Sequence, residues 1–363
     1  MTTPAPQPGL MDIMPYKGGE AEIEGLANVR KLSANETPLG PSPKAIRALQ
    51  EMAHRVAEYP DGGAVRLRAA LGKHYGLDPD RLVCGNGSDE LIGLLVSAYA
   101  GPGDEVLFSR HGFLMYGIAA KANGATPVMA PETDLTADVD ALLAAVSERT
   151  RVCFLANPNN PTGTYLPEAE VQRLRDGLRD DILLVIDAAY AEYVERNDYD
   201  PGVRLVAAHD NTVMLRTFSK IFGLAGLRIG WAYAPEAVIG VLHRARGPFN
   251  VNLAAQSAAI AALEDTDHIA AAVAHNREWL PKLTEALRQL GLSVPTSIGN
   301  FALARFPGGA EQVQKADAHL KSRGIIVRPV AGYGLPDCLR ITVGTEDDNK
   351  AVIAALTEFL QGQ

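Results

Sequence analysis

Short apolar runs alternate with amphipathic stretches over roughly the first two thirds of the chain. The apolar runs have the length and composition of buried strands and lie at residues 81–84, 105–108, 126–130, 152–156, 182–186, 212–215 and 229–233. Stretches with helical spacing lie between several of them, at residues 89–99, 138–146 and 168–178. Alternation of this kind predicts an α/β fold with a mostly parallel sheet and helices on both of its faces.

The pattern changes near residue 255. Residues 254–290 form a long alanine-rich stretch that predicts helix, with an interruption expected near Pro281. Shorter candidate strands and a last helix follow, at residues 302–306, 325–328, 339–343 and 349–360. We therefore expect an N-terminal arm and lead-in, a large domain and a smaller C-terminal α/β domain, at residues 1–43, 44–254 and 255–363.

Composition and charge exclude several classes of protein. The 363 residues carry 34 Lys and Arg against 43 Asp and Glu, and a net charge of −9 argues against nucleic-acid binding. No apolar run approaches the roughly 20 residues of a transmembrane helix, and the N-terminus lacks the pattern of a secretion signal. Three separated cysteines, Cys84, Cys153 and Cys338, suit free thiols in the cytoplasm, where we expect the protein. The eight histidines lack HxH or HxxxH spacing, so we expect no metal site.

The segment GNGSDE, at residues 85–90, lies between a predicted strand and an amphipathic helix. Its glycines let the backbone approach an anion, and the free N–H groups at the helix start point towards it. Ser88 can cap the helix or contact a phosphate through its hydroxyl. A plain strand–turn–helix connection has the same pattern, so this segment alone does not distinguish the two.

Two further polar segments follow predicted strands. NPNNPTG, at residues 157–163, predicts a non-helical loop at a strand end, where ligands bind in open parallel sheets. Asp187 ends the apolar run ILLVID, and a buried carboxylate there is costly without a cationic partner. A protonated pyridine nitrogen is such a partner, and it makes the ring an electron sink. An ordinary strand-end aspartate that caps a turn is the alternative.

The fourth segment, RTFSKIFGLAGLRIGW, occupies residues 216–231. Lys220 follows a predicted strand in a loop that also contains the hydroxyl of Ser219, and Arg228 comes eight residues later. A buried lysine has a depressed pKa and can form a Schiff base with an aldehyde. An arginine and a serine nearby can hold a phosphate. A lone lysine in a loop is usually solvated, but this one has such neighbours.

These four segments, in this order and at these separations, resemble the fold-type I aminotransferases of class I and II, which depend on pyridoxal 5'-phosphate. The resemblance extends to NETPLGPSP at residues 35–43 and LRITVGT at residues 339–345, and covers nearly the whole chain. It implies that Lys220 carries the cofactor, that Asp187 pairs with the pyridine nitrogen, and that Tyr190 and Asn160 hydrogen-bond the ring 3'-oxygen. The other implied contacts, mostly with the cofactor phosphate, are Gly87, Ser88, Asp89, Thr217, Ser219 and Arg228.

The same resemblance assigns contacts on the two faces of the cofactor ring and at the substrate. Phe113 corresponds to the aromatic residue, often tyrosine, that stacks on one face, and Ala189 packs on the other. The sequence has Asp-Ala-Ala-Tyr at residues 187–190 where Asp-Glu-Ala-Tyr is frequent, and the ring-facing residues are kept. Arg340 matches the arginine whose planar fork grips the substrate carboxylate or its equivalent.

Within this superfamily the sequence is most similar to the histidinol-phosphate aminotransferases. The shared segments are PYKGG near the start, NETPLGPSP, YPDGG at residues 59–63 and IIVRPV before LRITVGT, although Thr37 and Leu39 depart from the common NENPYG. The resemblance implies transamination of L-histidinol phosphate with 2-oxoglutarate in histidine biosynthesis. It also implies a homodimer with shared sites, in which Tyr59 contacts the cofactor phosphate of the neighbouring subunit. The implied substrate contacts are Tyr16, Tyr59, Asn160, Arg328 and Arg340.

Three alternatives share the cofactor. One is an aminotransferase of aromatic amino acids such as phenylalanine or tyrosine, and another is a decarboxylase of a phosphorylated amino acid, which would release carbon dioxide. The third, a cofactor-sensing transcription regulator, is a binding protein rather than an enzyme. Such a regulator joins this fold to a basic DNA-binding segment, for which the N-terminal stretch is too short and too neutral.

Overall fold

A computed structural model of the protein describes residues 4–6, 9–15, 18, 20–26 and 28–362. Its strands are β1 (Arg30–Lys31), β2 (Leu82–Gly85), β3 (Glu105–Ser109), β4 (Thr126–Ala130), β5 (Glu132–Thr133), β6 (Thr136–Ala137), β7 (Thr150–Ala156), β8 (Leu183–Asp187), β9 (Thr212–Thr217), β10 (Gly230–Tyr233), β11 (Phe301–Arg305), β12 (Ile325–Ile326), β13 (Arg328–Val330) and β14 (Leu335–Thr342). Its helices are α1 (Pro43–Met52), α2 (Val65–Tyr75), α3 (Ser88–Tyr99), α4 (Leu114–Ala122), α5 (Val139–Ala144), α6 (Glu168–Gly177), α7 (Val203–Ala208), α8 (Glu236–Ala245), α9 (Leu253–Leu263), α10 (Thr266–Gln289), α11 (Gly309–Ser322) and α12 (Glu346–Gln361).

The main sheet has the strand order β2-β10-β9-β8-β7-β3-β4. β10 runs antiparallel to both of its neighbours, and the other strand pairs are parallel, so the predicted mostly parallel α/β sheet is confirmed. β7, β8 and β9 lie side by side in parallel, which brings their carboxyl ends to one edge of the sheet. Asp187 is the last residue of β8 at this edge, and the loops that follow β7 and β9 contain Asn160 and Lys220, as the sequence pattern predicts for a ligand site.

Helices cover both faces of this sheet, because successive strand residues point to opposite sides. In β2, Leu82 and Cys84 pack with α1, α2 and α9, whereas Val83 packs with α3, α4 and α8. Further along the sheet, α5, α6 and α7 pack on residues such as Cys153 and Leu155 of β7. Side chains of the central strands are therefore buried on both faces, which explains why these strands are continuous apolar runs in the sequence.

A second, antiparallel sheet with the order β11-β14-β13 lies in the C-terminal part of the chain. It packs with α10, α11 and α12 around a core that includes Leu283, Leu320 and Leu356. β1, from the predicted arm and lead-in, pairs in parallel with β12. The N-terminal stretch is thus joined to the C-terminal part before it enters the main sheet, and the division at residues 43 and 254 stays a prediction.

The helical stretch after residue 253 is interrupted at a different place from the one predicted. The break lies at Glu264 and Asp265, between α9 and α10, and α10 continues through Pro281. Pro281 is exposed and removes one backbone donor from the helix. Leu280, Leu283 and Leu287 around it are buried in the C-terminal core, and this tertiary packing keeps the helix continuous. None of the described helices is long and apolar enough to cross a membrane.

A buried ion pair fixes the short 3-10 helix Ala191–Tyr193 to the main sheet. Arg216 of β9 donates to Glu192 at 2.6 Å, and the two side chains are 5% and 8% exposed. The hydroxyl of Tyr75 donates to the same carboxylate oxygen at 3.0 Å, and the guanidinium lies 4.9 Å from the Tyr75 ring centre. A charge in this environment is tolerated only with its partner, so the pair ties the segment after Tyr190 to β9.

We predict that Arg216→Met lowers the free energy of unfolding by about 3–5 kcal/mol, because it leaves the Glu192 carboxylate buried and unpaired. Urea denaturation followed by tryptophan fluorescence measures this change. The matched control is Arg204→Met, which removes an ion pair with Glu168 whose arginine is 76% exposed, and should cost less than about 1 kcal/mol. Equal losses in the two variants would contradict a special role for the buried pair.

Candidate active site

Lys220 lies in the loop after β9, and its amine points into a cavity at the carboxyl edge of the main sheet. The Nζ atom donates a hydrogen bond to the carbonyl oxygen of Ala34 at 2.9 Å. Burial of the amine, followed by the positive charge of Arg340, lowers the pKa of Lys220 to about 8. About a tenth of the amine is therefore neutral and nucleophilic at pH 7, far more than for an ordinary lysine, as a lysine that attacks an aldehyde requires.

Asp187, the last residue of β8, lines the same cavity and is 5% exposed. Its Oδ2 atom accepts a hydrogen bond from the Tyr116 hydroxyl at 2.8 Å, whereas its buried Oδ1 atom has no partner. Burial raises the pKa of Asp187 to about 6, against the opposing effect of the Tyr116 hydrogen bond. A buried carboxylate oxygen without a donor is the arrangement expected where a ligand supplies a cationic N–H group.

Tyr190 lines the cavity, and its hydroxyl oxygen already accepts a hydrogen bond from another residue. The side-chain amide of Asn35 donates to the Tyr190 hydroxyl oxygen at 2.9 Å. Asn35 is itself held by Thr342, whose hydroxyl donates to the asparagine side-chain oxygen at 3.1 Å and accepts from its backbone N–H at 3.0 Å. Because Asn35 supplies a donor, the proton of the Tyr190 hydroxyl is available for an acceptor in the cavity.

Arg340 of β14 closes another side of the cavity. One terminal nitrogen of its guanidinium donates to the side-chain oxygen of Asn160, and the other donates to the carbonyl oxygen of Ser33 at 2.6 Å. Asn160 lies in the predicted loop after β7, and both the Asn157–Pro158 and the Asn160–Pro161 peptide bonds are cis. Three separated stretches of chain therefore meet at one buried guanidinium.

An anion-binding arrangement lies where α3 begins. α3 starts at Ser88, so the first backbone N–H groups of the helix have no partner within it. Arg228 has a left-handed backbone conformation (φ 54°), and its guanidinium donates to Ser219 at 3.3 Å and to Asp89 at 3.1 Å. A Cβ atom on Gly87 would lie 2.5 Å from that guanidinium and would displace it, and the left-handed φ of 83° at this position also favours glycine.

The cavity has a volume of about 250 Å³ and brings together most of the residues predicted from the sequence. Those that line it are Ser88, Asp89, Phe113, Asn160, Asp187, Ala189, Tyr190, Thr217, Ser219, Lys220, Arg228, Arg328 and Arg340. Gly87 does not line the cavity, but it lies directly beside the Arg228 guanidinium, which does. Tyr59 is 81% exposed and stacks on Phe249, with ring centres 4.7 Å apart, away from this cavity. Tyr16 lies outside the described residues.

Sequence reasoning missed several residues that hold the predicted ones in place. Tyr116 follows Phe113 by three residues, but Phe113 precedes α4, so helical spacing does not link the two residues, although their rings are in contact. Asn35 belongs to the NETPLGPSP segment, but no local pattern indicates that it contacts Tyr190, 155 residues away. The carbonyl groups of Ser33 and Ala34 carry no side-chain signal at all.

The residues present fit pyridoxal 5'-phosphate. Lys220 offers an amine to an aldehyde, and the Oδ1 atom of Asp187 offers an unpaired negative charge to a protonated ring nitrogen. The start of α3 and Arg228 offer donors to a phosphate. Among the described residues, no group of three or more His, Cys, Asp or Glu side chains is placed to hold a metal ion.

Fold and site together define an aminotransferase, and comparison with known proteins agrees. The family model of the aminotransferases of class I and II matches residues 27–356, and the chain belongs to this family, whose cofactor is pyridoxal 5'-phosphate. It is 62% identical to the histidinol-phosphate aminotransferase of Paramagnetospirillum magneticum over 361 residues, with 99% of each chain covered. It is 58% identical to that of Rhodospirillum rubrum, over 99% of this chain and 98% of the relative.

A solved structure shows the same fold. The histidinol-phosphate aminotransferase of Sinorhizobium meliloti, in complex with pyridoxal 5'-phosphate, superposes with a TM-score of 0.86 at 29% sequence identity. The match covers 92% of this chain and 91% of that one. The prediction of a fold-type I aminotransferase from the four polar segments is confirmed by these comparisons.

We predict that Lys220 of the cofactor-free protein reacts with a small amine-directed reagent, and that its rate of labelling rises with pH with a midpoint near pH 8. Only the neutral amine reacts, and a lowered pKa makes Lys220 neutral at a lower pH than an ordinary lysine. Peptide mass spectrometry after labelling at a series of pH values measures the midpoint. Lys350 is the internal control, because its hydrogen bond to Glu346 raises its pKa. If the labelling of Lys220 had the same pH midpoint as that of Lys350, the lowered pKa of Lys220 would be refuted.

Proposed function

We propose that this aminotransferase transfers the amino group of L-histidinol phosphate to 2-oxoglutarate, with imidazole acetol phosphate and L-glutamate as products. The observation that carries the proposal is a pair of arginines in the cavity beyond those needed for the cofactor phosphate. Arg328 of β13 and Arg340 of β14 are direct cross-strand partners, and both line the cavity. Both guanidinium groups are positively charged, so this side of the cavity attracts an anionic substrate group. The phosphate of one substrate and a carboxylate of the other supply that charge.

The relatives support the same substrate. Two proteins with 62% and 58% identity over nearly the full length are named histidinol-phosphate aminotransferases. A phosphate group carries up to two negative charges at neutral pH, whereas the carboxylate of an aromatic amino acid carries one, so the arginine pair favours the phosphorylated donor over that alternative. A decarboxylase of a phosphorylated amino acid would use the same charges, and the release of carbon dioxide distinguishes it.

The residues that surround the cofactor have separate tasks in this proposal. When bound, pyridoxal 5'-phosphate takes up the electrons left when the substrate Cα loses a proton. The Nζ atom of Lys220 accepts that proton and returns it at the cofactor C4' position, acting first as general base and then as general acid. A pKa of about 8 suits both tasks near neutral pH. The Oδ1 atom of Asp187 keeps the ring nitrogen protonated.

Further side chains orient the bound groups. The Tyr190 hydroxyl, which accepts from Asn35, would donate its proton to the ring 3'-oxygen, and Asn160 would be the second partner of that oxygen. Phe113 and Ala189, which line the cavity, would pack against the ring. The start of α3, together with Ser219 and Arg228, would hold the phosphate. These contacts fix the ring so that the substrate bond to be broken is presented to Lys220.

The proposed assembly is a homodimer with shared active sites. Tyr59, Val56, Val65 and Phe249 are 81%, 73%, 55% and 45% exposed, an unusual number of large apolar side chains in one part of a surface. The stacked rings of Tyr59 and Phe249 hold Tyr59 away from the cavity of its own subunit. A second copy on this surface would bury the apolar side chains and place Tyr59 at the cofactor phosphate of the neighbouring site.

We also propose a cytoplasmic location and the division into an arm and two domains. Cys84, Cys153 and Cys338 are buried free thiols, and burial raises the pKa of each to about 12, so none is a reactive thiolate at neutral pH. That use of cysteine suits a reducing compartment. The separate core around Leu283, Leu320 and Leu356 supports a C-terminal domain within the proposed residues 255–363, whereas α9 at the start of that range packs with α1 and α2 on the main sheet.

The substrate proposal is tested by a half-reaction without any keto acid. We expect L-histidinol phosphate to convert the absorption band of the bound cofactor to that of its amine form far faster than L-phenylalanine does. Stopped-flow absorbance of the loaded enzyme measures both rates. Lys220→Ala, which removes the proposed base, should bind cofactor yet convert it slower by several orders of magnitude. Conversion by phenylalanine alone would refute the substrate, and release of carbon dioxide would support the decarboxylase.

Shared sites are tested by mixing two inactive variants. Tyr59→Ala lacks the residue that reaches the neighbouring site, and Lys220→Ala lacks the amine of its own site. A mixed dimer has one site with Lys220 from one subunit and Tyr59 from the other, so we expect mixing and subunit exchange to restore activity. A steady-state assay, together with sedimentation, measures this. A purely monomeric protein, or no gain over the separate variants, would contradict the shared site.

A further inference from the structure

Tyr116 lies near the start of α4, and other aromatic side chains pack against its ring. It is fully buried, and its ring stacks on that of Phe154 in β7 at 4.5 Å and an angle of 6°. Phe113 meets it edge to face, with ring centres 5.9 Å apart and an angle of 84°. A tyrosine has few rotatable bonds, and this packing leaves its hydroxyl a single direction. That direction is the carboxylate of Asp187, at 2.8 Å.

The hydrogen bond sets the orientation of the carboxylate. With Oδ2 engaged by Tyr116, the second oxygen, Oδ1, is buried without a partner, and Asp187 is part of the cavity wall. Tyr116 is absent from that wall, although its neighbour Phe113 belongs to it. Tyr116 therefore acts on the cavity through Asp187 and not by contact with a bound ligand.

The same bond acts on the charge of Asp187. A hydroxyl that donates to a carboxylate favours its ionised form, whereas burial and the nearby charge of Asp89 favour the protonated form. The backbone N–H of Ala189 and the charge of Lys220 also favour the ionised form, but each contributes less than the Tyr116 hydroxyl. Without the hydroxyl, the carboxylate becomes more basic and competes more strongly for a proton shared with a ring nitrogen.

We propose that Tyr116 is a positioning residue of this aminotransferase: its hydroxyl fixes Asp187 through Oδ2 and keeps it ionised, so that Oδ1 presents a full charge and the shared proton stays on the ring nitrogen of the cofactor. The inference rests on the proposed role of Asp187. It accounts for a buried aromatic side chain whose one polar atom faces the carboxylate that the reaction uses.

The variant that tests it is Tyr116→Phe, which removes one oxygen atom and keeps the stacked ring. The loaded enzyme is prepared with pyridoxal 5'-phosphate labelled with ¹⁵N in the ring, and its ¹⁵N NMR signal reports directly on protonation of that nitrogen. We expect the signal to move from the range of a protonated pyridine towards that of the neutral ring. We also expect kcat to fall roughly 10- to 100-fold, the scale of one hydrogen bond to a charged group.

The matched control is Tyr75→Phe. Tyr75 also donates its hydroxyl to a buried carboxylate, that of Glu192 at 3.0 Å, but neither residue lines the cavity. This variant should lose a comparable amount of stability in urea denaturation and leave the ¹⁵N signal and kcat unchanged. If both variants moved the signal equally, Tyr116 would have only a structural role.

A cofactor analogue with carbon in place of the ring nitrogen supplies an independent test. With this analogue there is no proton to hold, so Tyr116→Phe should slow the enzyme far less than it does with the natural cofactor. An equal loss of kcat with both cofactors would overturn the proposal, as would an unchanged ¹⁵N signal in Tyr116→Phe.

Failure of the inference is distinguishable from failure of the proposed function through Asp187→Asn. If Asp187→Asn moves the ¹⁵N signal and Tyr116→Phe does not, the role of Asp187 stands and that of Tyr116 falls. If neither variant moves it, the proposed partnership of Asp187 with the ring nitrogen falls, and the inference falls with it.

Discussion

A carboxylate buried at the end of an apolar strand is the constraint around which this site is built. Asp187 ends β8, whose residues Leu183 to Ile186 are buried on both faces of the sheet, so water cannot solvate the charge. The hydroxyl of Tyr116 and the backbone N–H of Ala189 stabilise the charge, and in the proposed function a cationic group of the bound ligand stabilises it further at Oδ1. The stack of Tyr116 on Phe154 and the cavity beside Asp187 both serve to stabilise this buried charge.

Positive charge on the other sides of the cavity affects both the pKa of Lys220 and the attraction of anionic groups. Arg340 and Arg228 both lower the pKa of Lys220, and Arg340 contributes more after burial itself. The same charges attract phosphates and carboxylates, so one electrostatic arrangement serves two purposes. In the proposed function, it makes the amine of Lys220 neutral enough to act as a base, and it supplies anion sites for the cofactor and the substrates.

Much of the fold and of the site could be predicted from the sequence because both depend on local patterns. Strands buried on both faces are apolar runs, and polar residues at their carboxyl ends fall at one edge of a parallel sheet. The sequence pattern predicts the positions of Asn160, Asp187 and Lys220 at this edge, and all three line the cavity there. What failed depends on tertiary contacts: α10 continues through Pro281 because Leu280, Leu283 and Leu287 hold it in the core. Asn35 could not be assigned to Tyr190, since no pattern links residues so far apart.

The chain segment before the main sheet contributes to the site, and the pairing of β1 with β12 helps to hold this segment in place. That pairing holds the following residues against the C-terminal part of the chain, where Thr342 fixes Asn35 and Arg340 binds the carbonyl oxygen of Ser33. Ala34, between them, accepts the hydrogen bond of Lys220. The amine and the Tyr190 hydroxyl are thus both oriented by one short segment. Any movement of the C-terminal part relative to the main sheet would displace that segment and change the geometry at Lys220.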